Sequence, residues 1–405
     1  MKFLGLFAVA CLVMSSTVNA GQLIEHKNGK PVPGKYIVML KKTAAAPEGI
    51  QRFADKVSEI ARRNRGNALS PGGRRKVPKI TLQYENLNGF VIEDGDEDLQ
   101  ELLGQEDVDY IEQDSEFEMA ASQSNPPSWA LPRIILRNPP TGSKTPYIYP
   151  DPAGAGITAY VLDTGILTSH QEFEGRARNG ANFVKGESSS DENGHGTHVA
   201  GTLGGKTYGV AKKVNIIGVK VLSKSGIGEL SGIIAGMDWV IKDAPGKRVI
   251  INMSIVGRDS QVMSDAVDRL SAANLPVFVA GGNFPDYDAC EGSLSGHHHS
   301  FAVGASDAND AWASFYSYGP CIDLIAPGVD IASADNQGNN SGASRSGTSM
   351  AAPHVAGAAA VYMSVDKNLK YPYQIYGKLT QTATKNKITG NLRGTPNLFL
   401  YLAQS

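Results

Sequence analysis

The chain has 405 residues, 41% hydrophobic and 19% charged, with 38 basic against 40 acidic side chains and a net charge of -2. That composition excludes global disorder, and so even a charge balance leaves no footprint for nucleic acid or an anionic membrane. Three cysteines exclude a disulfide scaffold, and the length allows two to four domains at roughly 100–200 residues each.

Residues 1–20 read as a secretory signal peptide. Lys2 supplies the positive end, Phe3 to Met14 the apolar run, and Val18-Asn19-Ala20 the small-residue cleavage site. The run is shorter than the roughly 18–20 apolar residues of a membrane anchor. The mature protein is therefore expected to be secreted, soluble and extracellular, where a disulfide persists. Cys11 leaves with the signal, so Cys290 and Cys321 remain as a possible pair.

In residues 21–120 the pattern is β-α-β-β-α-β. Lys35 to Leu40 reads as a strand, and residues 48–63 carry Ile50, Phe53, Val57 and Ile60 at helical spacing. Strands follow at Ile80 to Tyr84 and Gly89 to Ile92, then a short acidic-started helix at Asp96 to Leu103 and a strand at Val108 to Ile111. That order predicts a small ferredoxin-like α+β domain. The basic run Pro71 to Lys76 reads as a solvated loop rather than a processing or binding site, and residues 115–128, ending in Asn125-Pro126-Pro127, read as a linker.

From residue 157 the pattern changes. Ile157 to Leu162, Val214 to Leu222, Val249 to Met253, Val277 to Ala280 and Phe301 to Ala305 are continuous apolar strands. Helical segments such as Ile233 to Ile241 and Val262 to Ala273 lie between them. This predicts an α/β fold with a doubly wound parallel sheet, whose ligands bind beyond the carboxyl ends of the strands.

Three segments carry chemistry. Val161-Leu162-Asp163-Thr164-Gly165 places an acid at the end of an apolar strand. Asn193-Gly194-His195-Gly196-Thr197-His198 enters a helix, as does Ser346-Gly347-Thr348-Ser349-Met350. A serine hydroxyl needs a base within hydrogen-bond reach, and the base needs a carboxylate to fix its tautomer and stabilise its cation. A serine at a helix start also sits among amide donors suited to a developing oxyanion. Asp-Thr-Gly alone also fits an aspartic protease, which pairs two such carboxylates. His195 and His198 lack the intervening Glu of a zinc protease.

Together, in the order Asp, His, Ser, these segments resemble the subtilase family, closest to its secreted proteinase K group. The likeness extends to Tyr208-Gly209-Val210-Ala211, Gly218 to Leu222, Ile234 to Asp238 and Val303 to Ser306. It implies a subtilisin-like peptidase domain over 121–405 and an inhibitory propeptide over 21–120 that also serves as intramolecular chaperone. Function is then expected to be that of a monomeric serine endopeptidase acting on protein substrates and made as a self-processed zymogen. By resemblance Asp163 orients, His195 is the general base, Ser349 the nucleophile, and Asn283, after Val277 to Gly282, an oxyanion donor. Gly226-Ile227-Gly228 and Ser254-Ile255-Val256-Gly257 match the two edges that pair with an extended peptide. Leu230 and Ile255 then line the pocket for the fourth residue before the cut, unless they are plain core.

The resemblance also implies a calcium held by Asp323 with carbonyls near His298 and Ser300, and a Cys290–Cys321 bridge. Asn339-Asn340-Ser341 is a glycosylation sequon; Asn252-Met253-Ser254 is another by letter, expected to be buried. His297-His298-His299 reads as a surface loop, because no acid or cysteine lies close in sequence. Departures from the family are Val256 in place of glycine, the neighbouring Arg258, Ser293-Leu294-Ser295 after the oxyanion segment, and Val199 in place of a cysteine. The resemblance also implies the propeptide cut: Glu112-Gln113-Asp114 matches a Glu-Gln-Asp of the proteinase K group, and counting from it places the cut after Ala120, with Phe117 three positions earlier. Val256 at the rim then implies a preference for small or medium residues before the cut.

Overall fold

The computed structural model describes residues 21–24, 31–44, 47–66, 76–84, 86–119, 122–123, 128–139, 145–150, 152–257, 259–313 and 315–403. The signal segment, the basic loop at 71–75, Ala120 and Arg258 lie outside the described residues.

The N-terminal region comprises β1 (Gln22–Ile24), β2 (Pro31–Leu40), α1 (Pro47–Gly66), β3 (Lys79–Tyr84), β4 (Gly89–Glu93), α2 (Leu99–Leu103) and β5 (Val108–Met119). The strands run in the order β1-β5-β2-β4-β3, antiparallel except for β1 against β5. The β-α-β-β-α-β order is therefore present, with one added edge strand. Side chains alternate across a strand. Val38, Phe90, Ile92 and Ile111 pack on Phe53, Val57 and Ile60 of α1. The opposite face, with Ile37, Met39, Tyr84, Val91 and Tyr110, belongs to a core shared with the next domain.

That domain runs through β6 (Ser122–Gln123), α3 (Ala130–Ile134), β7 (Ile157–Asp163), β8 (Ala177–Asn182), α4 (His195–Gly204) and β9 (Asn215–Lys220). It continues with β10 (Ile227–Glu229), α5 (Leu230–Asp243), β11 (Arg248–Met253), β12 (Ile255–Val256), α6 (Gln261–Ala272), β13 (Val277–Ala280) and β14 (Ser300–Ser306). It closes with β15 (Leu324–Pro327), β16 (Ile331–Ala334), β17 (Gly342–Ser346), α7 (Thr348–Val365), α8 (Pro372–Thr382), β18 (Thr384–Lys385) and β19 (Leu398–Phe399). The main sheet has the order β18-β19-β15-β14-β13-β11-β7-β9-β8 and is parallel apart from the edge strand β18. Helices α4 and α7 cover one face, while α5 and α6 cover the other. Burial on both faces is why these strands read as apolar runs rather than alternating ones.

One sequence expectation fails. Residues 115–128 are not simply a linker, because Ser115 to Met119 continues β5 as a strand. Its polar composition hides this, since its pairing partners are edges of the other domain.

Candidate active site

Asp163 ends β7, and its Oδ1 lies 2.7 Å from Nδ1 of His195, the first residue of α4. Both side chains are fully buried. Gly194 before the histidine has φ +98, and a Cβ there would meet Arg345, Asn336 and Asp335, so glycine is required at this turn. Asp191 holds the turn together. Its Oδ1 accepts from Gly194 N, Asn193 N and Thr164 Oγ1, and its Oδ2 accepts from Thr197 N and Oγ1, at 2.6–2.9 Å. No short motif marks Asp191, because Thr164 and Thr197, which it bridges, meet only in the fold.

Ser349 is the second residue of α7. Pro353 has no N–H to give the Ser349 carbonyl four residues earlier. That carbonyl instead accepts from Ser254 Oγ at 2.8 Å, and Ser349 Oγ donates to the Ser254 carbonyl at 3.1 Å. His195 Nε2 is buried with no hydrogen-bond partner among the described residues. Asp163 and His195 are thus joined, while the Ser349 hydroxyl is turned toward Ser254. Asn283 follows β13 by three residues, and its Oδ1 accepts from Thr348 N and Thr348 Oγ1, each at 2.9 Å. This anchoring commits the amide oxygen, and Nδ2, beside the start of α7, has no partner among the described residues.

The end of β5 crosses this region. It pairs antiparallel with β10, Phe117 opposite Gly228 and Glu118 opposite Ile227, and with β12, Met119 opposite Ile255 and Glu118 opposite Val256. Beyond the undescribed Ala120 and Ala121, β6 pairs with β17, Ser122 opposite Ser346. At Gly228 a Cβ would stand 2.4 Å from the Val221 carbonyl, so the edge is bare backbone. Gly226, φ +79, closes the turn before it, its N–H donating to the Ser223 carbonyl at 2.9 Å. Leu230 and Ile255 are fully buried in the core shared with α5 and α6. Val256 is 8% exposed and packs on Ala280, spanning toward the segment that leads to Asn283. Gly257 is half-buried beside it.

Upstream, β5 delivers two carboxylates to helix starts. Asp114 Oδ1 accepts from Ser231 N in α5 at 2.7 Å, and Glu112 accepts from Val262 N in α6. Both are orphan donors of a first turn, and both meet the positive helix end. Lys35 pairs with Asp114 at 3.4 Å and with Glu229. Burial pushes the Asp114 carboxyl up to about 6, against the pull of Lys35.

Cys290 and Cys321 are joined by a disulfide. Asp323 accepts from Ala302 N at 2.7 Å, and burial pushes it up to about 6. Asn339 is exposed on a turn and accepts from Ser169 Oγ, whereas Asn252 is fully buried as expected.

Comparison with known proteins agrees with this geometry. The Subtilase family profile matches residues 154–396, and the Peptidase inhibitor I9 profile matches residues 35–120. A cuticle-degrading serine protease of Arthrobotrys oligospora is 39% identical over 381 residues, covering 91% of this chain and 90% of its own. An extracellular serine proteinase of a Thermus species is 40% identical over 374 residues, covering 91% and 90%. The crystal structure of a cold-adapted subtilisin-like serine proteinase, 43% identical, superposes with a TM-score of 0.64 over 70% of this chain and 100% of that one. The chain belongs to the subtilase family. It is a subtilisin-like serine protease preceded by an inhibitor-type propeptide domain.

Proposed function

We propose that the protein is a secreted serine endopeptidase that cuts its own propeptide after Ala120. The observation that carries this is the path of the chain: β5 fills the gap between the edges β10 and β12, and β6 resumes on β17 beside Ser349. The paired stretches on either side support reading the segment that joins them as the substrate of Ser349.

In this reading Ser349 Oγ swings from the Ser254 carbonyl to His195 Nε2, which takes its proton as the oxygen attacks the scissile carbonyl. Asp163 holds Nδ1–H and stabilises the imidazolium. Asn283 Nδ2 and the Ser349 N–H bind the oxyanion. His195 then protonates the leaving amine, and water releases the acyl group by the reverse sequence. Gly226, Gly228, Ser254, Ile255, Val256 and Gly257 bind substrate backbone, and Leu230 with Ile255 back the pocket for the fourth residue before the cut. The contact of Val256 with Ala280 narrows the space for the residue before the cut, which supports a preference for small or medium side chains there.

Asp323 suits calcium: it is a hard oxygen donor, and among the described residues no cationic side chain offsets its burial. With carbonyls near His298 and Ser300 it would hold the ion as a structural brace. The exposed Asn339 is available for glycosylation. Secretion is supported by the relative described as extracellular, and among the described residues no helix is long and apolar enough to cross a membrane.

A serine-directed organophosphonate tests the reading. It should label the mature protein at Ser349 and stop casein digestion. Labelling elsewhere, or casein left intact by unlabelled enzyme, contradicts it.

A further inference from the structure

The three consecutive histidines were expected to be a plain surface loop because no acid lies near them in sequence. The fold supplies one. Asp268, on the last turns of α6, places Oδ1 2.8 Å from Nδ1 of His299 and 3.6 Å from Nε2 of His297. His298 stacks between, its ring centre 4.8 Å from that of His297 and 3.9 Å from that of His299, and the three imidazoles offer donor atoms all within 4.8 Å of one another.

We infer that His297, His299 and Asp268, with His298 as a fourth donor, form a binding site for a borderline transition-metal ion of the zinc type. Metal–ligand bonds of about 2.0–2.1 Å at tetrahedral angles put neighbouring donors about 3.4 Å apart. The 2.8 and 3.6 Å separations from Asp268 Oδ1 bracket that value. Imidazole nitrogens with one carboxylate select zinc, cobalt, nickel or copper, whereas calcium and magnesium want oxygen shells. This separates the site from the carbonyl and carboxylate oxygens around Asp323, which directly precedes β15.

The loop is already held for the purpose. Ser300 Oγ donates to the His297 carbonyl at 2.9 Å, and Tyr376 Oη donates to the His299 carbonyl at 3.2 Å. Binding has an identifiable cost. Ligation through His297 Nε2 moves that ring's proton to Nδ1, so the 3.2 Å bond that Nδ1 accepts from His299 N is given up. His299, 41% exposed, passes its proton to Nε2. A bound ion would tie the loop before β14 to α6, the helix whose first turn receives Glu112 of the propeptide domain.

The test uses the full chain carrying Ser349→Ala to prevent self-digestion, stripped of metal by a chelator and titrated with cobalt(II). The site predicts one saturating equivalent with the visible absorption of low-coordinate cobalt, displaced by micromolar zinc and untouched by millimolar calcium. Asp268→Asn should weaken zinc binding by roughly tenfold or more. The double variant His297→Gln/His299→Gln should abolish the cobalt spectrum while melting like the parent in chelator. Absence of saturable cobalt or zinc binding below millimolar concentration overturns the inference. So does cobalt binding that survives the double variant, which would put the ion elsewhere, or displacement by calcium, which would mark an oxygen site.

Discussion

The two sheets of this molecule solve the same burial problem differently. The nine-stranded parallel sheet is covered on both faces by helices of its own domain. The N-terminal sheet covers one face with α1 and lays the other, through Ile37, Met39, Val91 and Tyr110, on α5 and α6. Half of its core is therefore lent by its neighbour and is lost when the two part. The parallel sheet depends on contacts distant in sequence, which form slowly because loop closure precedes the gain. A docked sheet that caps α5 and α6 with Asp114 and Glu112 favours the arrangement of those two helices. On the proposed reading, the difference explains how one domain would assist folding, block the cleft, and then be discarded.

If the chemistry resides wholly in the large domain, Asn283→Leu should lower kcat by about 10²–10³ with little change in KM, since the lost hydrogen bond forms mainly in the transition state. Docking of the N-terminal sheet should be unaffected. Unchanged kcat removes Asn283 from the mechanism.

The shared cleft is probed at Val256. Its branched side chain is stiff, and overpacking against a bulky residue costs typically ~1–3 kcal/mol, or roughly 5- to 150-fold in rate. Val256→Gly should therefore raise kcat/KM for peptides with Phe before the cut relative to those with Ala. A parent enzyme that already prefers Phe, or an unchanged ratio, contradicts the assignment.

The lent half of the interface is probed at its caps. Replacing Glu112 by Ala removes a helix-start acceptor, typically worth ~0.5–2 kcal/mol, so inhibition by the propeptide should weaken by roughly 2- to 30-fold. Hydrolysis by the mature enzyme should not change. Inhibition constants measured with added propeptide check this.

The pH dependence of docking sharpens it further. Asp114 is held at about 6 when docked, above its ordinary 3.8. The docked state thus keeps this proton more tightly, and the group's contribution is full below about pH 4 and lost as pH rises through about 6. In a Ser349→Ala precursor, adding Asp114→Asn should gain stability over its parent from pH 4 to pH 7, by at most about 3 kcal/mol. A difference that stays flat over this window contradicts the account.

How much was legible in sequence follows the same division. Apolar strands buried on both faces are continuous runs, so β7, β11, β13 and β14 stood out, and glycine-rich turns marked His195 and Ser349. The Ser115 to Met119 strand was missed because its partners lie more than a hundred residues downstream. Short strands such as β10, β12 and β17 carry too few residues for periodicity. Asp191 and Asp268 act through contacts that only the fold brings about, one across a turn and one from helix to loop. The reciprocal bonding of Ser349 and Ser254 depends on a carbonyl freed by Pro353, a consequence of helix geometry rather than of any motif.

The central claim is that Ser349 cuts the chain lying across it. Expressing the full chain and its Ser349→Ala variant side by side, with intact mass and N-terminal sequencing, tests this most directly. The account predicts mature protein beginning at Ala121 from the parent and uncut precursor from the variant. Normal processing of the variant expressed alone would contradict it and assign the cut to another protease.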